Sequence, residues 1–384
     1  MLRSPGAHDM QPEILDLDAQ ATSPLRPEAL AAMLPWLEGR HWNPHSAHRG
    51  GRLAKAGLET ARGRVAARLG RPAKGLIFTS GATESNNLAL KGVMELAAGK
   101  RLVTFAPEHS CVLESARHLQ ALGGAVTILP ILPDGLPDRA AYTAALAGGD
   151  VALVSAMWVN NEIGSIWPIA DLADEAHAAG ALFHTDAAQA FGKLDLSGAD
   201  YDLISLSAHK VGGPKGIGAL WLKPGVAVSP LLDGGGQEAG LRSGTQSPAL
   251  AAGFGAAADL ADPATALPAA QALMQRALAA LADVPHGING PDPLGGQRWP
   301  GNLSVTFPGI DASRLISALP HVALSSGSAC SSGSGKSSHV LAALGLPTPR
   351  ARQTLRLGWQ PTTSPDMLAD AMRQLAAAAK GLQR

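Results

Sequence analysis

The sequence predicts an α/β protein, a mainly parallel sheet covered by helices, followed by a smaller α+β region. Short, nearly continuous apolar runs at 76–79, 101–105, 125–129, 151–157, 181–185 and 203–207 read as buried strands. Helix-like runs lie between most of them, at 84–97, 111–122 and 169–178. That alternation marks a parallel sheet with both faces covered. After about residue 258 the regular alternation stops. The expected domains are therefore a large one at 16–258 and a small one at 259–384, the latter joined by residues 1–15. With 384 residues, 46% hydrophobic against 16% charged, the chain has apolar surface for both.

Taken in order, residues 14–18 form a short extended start, and Pro27 stands in the first turn of a helix over 27–37. A loop holding His41, His45 and His48 follows. It contains Pro44 but no neighbouring cysteine or paired carboxylates, so it reads as a polar loop and no metal site is expected. Leu53, Gly57, Ala61, Val65 and Leu69 recur every four residues, an amphipathic helix closed by Gly70 and Pro72. Beyond the sixth strand, residues 217–222 return after a tight glycine loop and are expected to pair antiparallel. The last third holds an Ala-rich helix after Pro263 and Pro268, strands at 303–307 and 322–325, and a helix at 311–319. Ser364-Pro365-Asp366 opens the final helix in cap-then-proline fashion.

Lys plus Arg and Asp plus Glu both number 31, and no long basic run is present. Neither a nucleic acid nor a membrane is expected as a partner. Cys111 and Cys330 are too few for a disulfide framework, which suits a reducing compartment. Residues 1–11 are polar and lack a signal-peptide core. The longest uncharged apolar stretch, near 249–258, is well short of the about 20 residues a span needs. A cytoplasmic location is expected.

Sheets of this kind bind ligands at the carboxyl ends of their strands, and four such ends carry chemistry. Thr79-Ser80-Gly81-Ala82-Thr83-Glu84-Ser85 runs from a strand into a helix, offering hydroxyls, backbone N–H groups and a positive helix end to a phosphate. Asp186 follows an apolar strand, with Gln189 three residues on; such a carboxylate either pairs with a pyridinium nitrogen or caps the next turn. His109, between a strand and a helix, can stack on a flat ring or move protons. Lys210 ends the run Ser207-Ala208-His209-Lys210 before a Gly-Gly-Pro-Lys-Gly loop. A lysine there either snorkels into water or, when desolvated, becomes a nucleophile toward carbonyls. Phosphate cradle, carboxylate, stacking histidine and strand-end lysine together describe pyridoxal 5'-phosphate held as a Schiff base.

These stretches, with Val159-Asn160-Asn161-Glu162-Ile163-Gly164, Asp186-Ala187-Ala188-Gln189, Arg242-Ser243-Gly244-Thr245 and Ser325-Ser326-Gly327-Ser328-Ala329-Cys330, resemble the cysteine desulfurases. These are class V, aminotransferase-like, pyridoxal-phosphate enzymes, and the likeness spans nearly the whole chain. It implies a fold-type-I homodimer with the cofactor near the subunit interface. By matching positions, Lys210 would form the Schiff base, His109 would stack and move protons, and Asp186 would pair with the pyridine nitrogen. Gln189 would contact the ring hydroxyl. Ala82, Thr83, Ser207 and His209 would hold the phosphate, and Thr245 would reach the partner subunit's cofactor. Asn161 would lie beside cofactor and substrate, with Arg356 facing the substrate carboxylate.

Cys330 lies in a Ser- and Gly-rich loop, unlike the apolar setting of a structural cysteine. The resemblance implies that L-cysteine becomes L-alanine while Cys330 takes the sulfur as a persulfide. An iron–sulfur scaffold or another sulfur-acceptor protein would receive it for iron–sulfur cluster or thio-cofactor synthesis, and Cys330 could contact a transferred cluster. The alternative is a selenocysteine lyase or another class V aminotransferase or lyase; a transaminase has no use for a thiol at 330. Gly335-Lys336-Ser337 resembles the end of a nucleotide-binding P-loop, but that motif needs glycine where Cys330 stands. Cys111, followed by Leu113 on a predicted helix, reads as core. Asp18 to Pro24 and Arg356-Leu357-Gly358-Trp359-Gln360 depart from the usual family pattern, and the short segment after the last helix leaves the acceptor open.

Overall fold

The computed structural model describes residues 14–327 and 338–383. The early strands are β1 (Leu15–Asp16), β2 (Leu76–Thr79), β3 (Arg101–Phe105), β4 (Ala125–Leu129), β5 (Val151–Met157) and β6 (Leu182–Asp186). Then follow β7 (Leu203–Ser207), β8 (Gly218–Leu222), β9 (Gly287–Ile288), β10 (Asn302–Thr306), β11 (Val322–Ala323) and β12 (Thr354–Gly358). Helices α1 (Pro27–Glu38), α2 (Arg49–Leu69), α3 (Ala82–Leu96), α4 (Ser110–Ala121), α5 (Arg139–Leu146) and α6 (Ile169–Ala178) alternate with the early strands. The later helices are α7 (Pro248–Leu260), α8 (Pro263–Leu281), α9 (Ala312–Ala318), α10 (His339–Ala343), α11 (Thr348–Arg352) and α12 (Pro365–Leu382).

Seven strands form one sheet in the order β2-β8-β7-β6-β5-β3-β4. Neighbours are parallel except around β8, which runs antiparallel to both β2 and β7, as the glycine loop before it leads one to expect. Leu102 and Leu153 pack on one face with Leu88 and Leu90, while Val103 and Val154 face the larger cluster with Phe183 and Ile204. That two-residue alternation lets apolar runs cover both faces. The chain runs from β3 to β4 at one edge, then returns to place β5 on the other side of β3. A crevice opens at such a reversal, beyond the strands' carboxyl ends.

A second core gathers Leu17, Met274, Leu303, Val305, Leu355, Leu357 and Leu375 around the three-stranded sheet β12-β10-β9. α8 serves both cores, with Ala266 and Ala270 in the first and Leu273 and Met274 in the second. β1 joins this region by pairing parallel with β11. α3 starts at Ala82 rather than residue 84, which places Thr83 in its first turn, and α5, α7, α10, α11, β9 and β12 are elements the pattern did not announce.

Candidate active site

Five strand ends surround a cavity of about 510 Å³. Ala82 and Thr83 reach it from β2, His109 from β3, Asn161 from β5, Asp186 and Gln189 from β6, and Ser207, His209 and Lys210 from β7. Arg356 enters from β12. The sequence-predicted set is thus gathered in one place apart from two members. Thr245 is exposed and lines a separate recess beside Ser80 and Arg242. Cys330 lies outside the described residues, as does Gly335-Lys336-Ser337.

The turn from β2 into α3 is held by side chains. Thr79 Oγ1 lies 2.8 Å from Ser85 Oγ, and Glu84 Oε2 accepts from Ser80 N at 2.7 Å. Arg242 Nε donates to Glu84 Oε1 at 2.8 Å, and this pairing keeps the Glu84 carboxyl below its usual range against the opposing effect of burial. The N-cap of α3 is Gly81, which has no side chain to bond the first-turn N–H groups. Those groups are left to a ligand, at the positive end of the helix. Gly218 makes this turn possible: a Cβ there would stand 2.4 Å from Leu206 O and 2.6 Å from Gly81 Cα.

At β6, Asp186 Oδ2 accepts from Asn86 Nδ2 at 2.6 Å and Oδ1 from Ala188 N at 2.9 Å. Its charge acts on its neighbours. Burial, then Asp186, pushes the Cys111 thiol up to about 12. The same two causes raise Glu108 well above the normal carboxyl range, which favours the neutral form of its buried side chain. Glu108 Oε1 accepts from Met157 N at 2.6 Å, and His339 Nε2 donates to the Glu108 carbonyl at 2.8 Å.

His109 caps α4, its Nδ1 accepting from Cys111 N at 3.3 Å, with Cys111 Sγ 3.0 Å away. Burial holds the imidazole below its ordinary pKa against the pull of Asp186, while Lys210 and His339 add to the lowering. A neutral ring whose Nδ1 is an acceptor carries its proton on Nε2. Cys111 is therefore not the core residue expected from its helix: it lines the cavity, because α4 begins at Ser110 and turns its first residues toward the strand ends.

Lys210 ends a single 3-10 turn, Ala208–Lys210, and its Nζ donates to Gln20 O at 2.7 Å and Ala21 O at 2.8 Å. Ser23 N and Oγ bond the His209 carbonyl, and Thr22 Oγ1 lies 3.0 Å from His209 Nδ1. Sequence reasoning missed this clasp by residues 20–23, just as it missed Glu108 and Asn86. Each stands inside a stretch singled out for another residue, and nothing in the local pattern announces the long-range contact.

Arg356 is nearly fully buried; Nη2 pairs with Asp18 Oδ1 at 2.7 Å, and Nε has no partner among the described residues. Glu162 also lines the cavity, and burial raises its carboxyl pKa. Ser338 Oγ donates to Glu162 Oε2 at 2.5 Å, and a Cβ on Gly327 would lie 3.4 Å from that same oxygen. The described residues on either side of 328–337 thus meet at the cavity wall.

Comparison with known proteins fits this geometry. Residues 16–362 match the family described as aminotransferase class-V. The chain is 45% identical over 353 residues to the mitochondrial cysteine desulfurase of Arthroderma benhamiae, covering 89% of this chain and 70% of the relative. The chain belongs to the cysteine desulfurases of the aminotransferase class-V family. A solved NifS-like protein superposes on this desulfurase with a TM-score of 0.86 at 32% identity, covering 95% of this chain and 98% of that one. A structure described as SspA in complex with cysteine gives 0.80 at 34% identity, with 91% and 99% covered.

Such desulfurases depend on pyridoxal 5'-phosphate, and the cavity residues fit it. The uncapped first turn of α3 and the nearby hydroxyls suit a phosphate, and the Asp186 carboxylate suits a protonated ring nitrogen. Lys210 stands at the strand end between them. Among the described residues no helix is long and apolar enough to cross a membrane.

Proposed function

We propose that this desulfurase converts L-cysteine to L-alanine, captures the sulfur as a persulfide on Cys330, and passes it to an acceptor protein for iron–sulfur cluster or thio-cofactor synthesis. The observation that carries the reading is the meeting of Lys210, Asp186, His109 and Arg356 in one cavity, with Gly327 and Ser338 against Glu162 of its wall.

The first-turn N–H groups of Ala82 and Thr83, with Ser207 and His209, would hold the cofactor phosphate. Asp186 would pair with the ring nitrogen, Gln189 would contact the ring hydroxyl, and His109 would stack on the ring. Once bound, the cofactor supplies an electron sink for charge developing at the substrate α-carbon. Arg356, buried and already fixed by Asp18, binds the substrate carboxylate and orients it, with Asn161 beside it. Lys210 Nζ moves the α-carbon proton, and the Nε2–H of His109 is a proton source on the cavity wall. In the sulfur step the Cys330 thiolate attacks the substrate sulfur. An S–S bond forms as the C–S bond breaks, and the carbon fragment takes that electron pair and a proton, so alanine and persulfide balance without an added oxidant.

A homodimer in the cytoplasm accompanies this reading. That Thr245 is exposed and lies outside its own chain's cavity supports a role at a partner's cofactor. Holoenzyme incubated with L-cysteine is expected to release alanine and to accumulate persulfide by mass spectrometry. Cys330→Ala is expected to keep the visible cofactor band but form no persulfide on the protein. A Cys330→Ala variant that makes alanine and persulfide at the parental rate overturns the assignment.

A further inference from the structure

Behind the cofactor-facing residues lies a second lysine that the reaction above does not use. Lys193 is 3% exposed, and among the described residues no carboxylate stands within 4 Å of its amino group. Its Nζ instead donates to Gln189 Oε1 at 3.1 Å and sits 5.6 Å from the centre of the Trp299 ring. Burying an amine with so little compensation is costly, and a neutral residue would fill the space more cheaply.

The contact defines the state of Gln189. A side-chain amide has two orientations of nearly the same shape, differing in which end donates. Here Oε1 accepts from Lys193, and Nε2 donates one hydrogen to Gln20 O at 2.9 Å. Turning the amide over would set N–H against the Lys193 donor and oxygen against the Gln20 carbonyl. Both contacts select the same orientation, and the second Nε2 hydrogen has no acceptor among the described residues while Gln189 lines the cavity.

We propose that Lys193 is a positioning residue, holding Gln189 so that its amide N–H is free to meet the ring hydroxyl of the cofactor. This rests on the reading of the cavity as the cofactor site. The charged surroundings of Lys193 are Lys210 and His209 from the turn after β7, with Arg26 and Asp262 around the recess of about 250 Å³ that both lysines line. Burial first, then the Lys210 charge, brings the Lys193 amine down to about 7. Below that pH its positive charge opposes protonation near Lys210, and the N–H it directs at the ring hydroxyl stabilises that hydroxyl's deprotonated form. Both effects lower the pH at which the bound cofactor changes protonation state.

The test is a pH titration of the cofactor's visible absorption in holoenzyme, in wild type, Lys193→Met, Gln189→Ala and the double variant. Lys193→Met is expected to raise the midpoint by about half a unit or more, and in the Gln189→Ala background the same change is expected to have at most half that effect. A midpoint that does not move, or that moves equally in both backgrounds, overturns the proposal. Lys193→Ala replaces Lys193→Met if circular dichroism shows the latter unfolded. A wild-type protein that shows no visible band at all sinks the cofactor reading itself, a different outcome from an unmoved midpoint.

Discussion

Glu108 lies at the meeting of three chain segments, with Met157 N on its carboxyl and His339 on its carbonyl. Its pKa is raised above the unfolded value, by burial first and Asp186 second. The associated stability is therefore fully present below the unfolded pKa and is lost as pH rises through the folded one. Glu108→Gln keeps an acceptor for Met157 N and removes the ionisation. Its melting temperature is expected to fall less than that of wild type as pH is raised from the unfolded carboxyl range upward. Glu108→Ala leaves Met157 N–H buried without that acceptor and is expected to cost about 1–3 kcal/mol in denaturant unfolding. If the Gln variant loses stability with pH as steeply as wild type, Glu108 is not the group that titrates. Residues of this kind were the least legible in the sequence. Pro107-Glu108-His109 reads naturally for its histidine, because only the assembled strand ends reveal that the glutamate has no water around it. Lys210, Asp186 and His109 were legible because each follows an apolar strand, and the sheet rule places such residues together.

Strands β2 to β7 were readable as elements because they are short apolar runs between turn residues. β12 was not: Thr354 and Arg356 look like an exposed polar face but are buried, Thr354 bonded to Thr306 and Arg356 paired with Asp18, partners remote in sequence. β8 shows how one residue type can decide the placement of an element. At Gly218 the nearest obstacles to a Cβ belong to backbone, Leu206 O and Gly81 Cα, which cannot swing aside as a side chain would. Gly218→Ala is expected to cost about 1–3 kcal/mol and to weaken cofactor retention on dialysis, because β8 and the α3 cradle must separate. Gly381→Ala, near the end of α12 with open space around it, is expected to stabilise by about 0.4–1 kcal/mol. Equal thermal shifts in the two variants would show that crowding at Gly218 does not matter.

At the scale of the molecule, residues 15–23 join what the rest of the fold keeps apart. β1 pairs with β11, Leu17 packs in the second core, and Gly358 N donates to Leu17 O at 2.7 Å. Gln20 Nε2 reaches Gly301 O at 2.7 Å, while the carbonyls of Gln20 and Ala21 accept from Lys210. Leu17→Ala is expected to cost about 2–5 kcal/mol and, beyond that, to shift the cofactor's absorption band in the folded protein, since the segment it anchors carries the lysine's acceptors. An unchanged spectrum in a destabilised variant would limit Leu17 to packing. The stitch also sets an order of events during synthesis. Residues 15–23 leave the ribosome well before their partners at 301, 322–323 and 358. The nascent sheet can form without them, yet the anchored clasp on Lys210 must wait for residues 301–358, so a chain still short of them is a poor trap for its cofactor and one that has passed them closes around it.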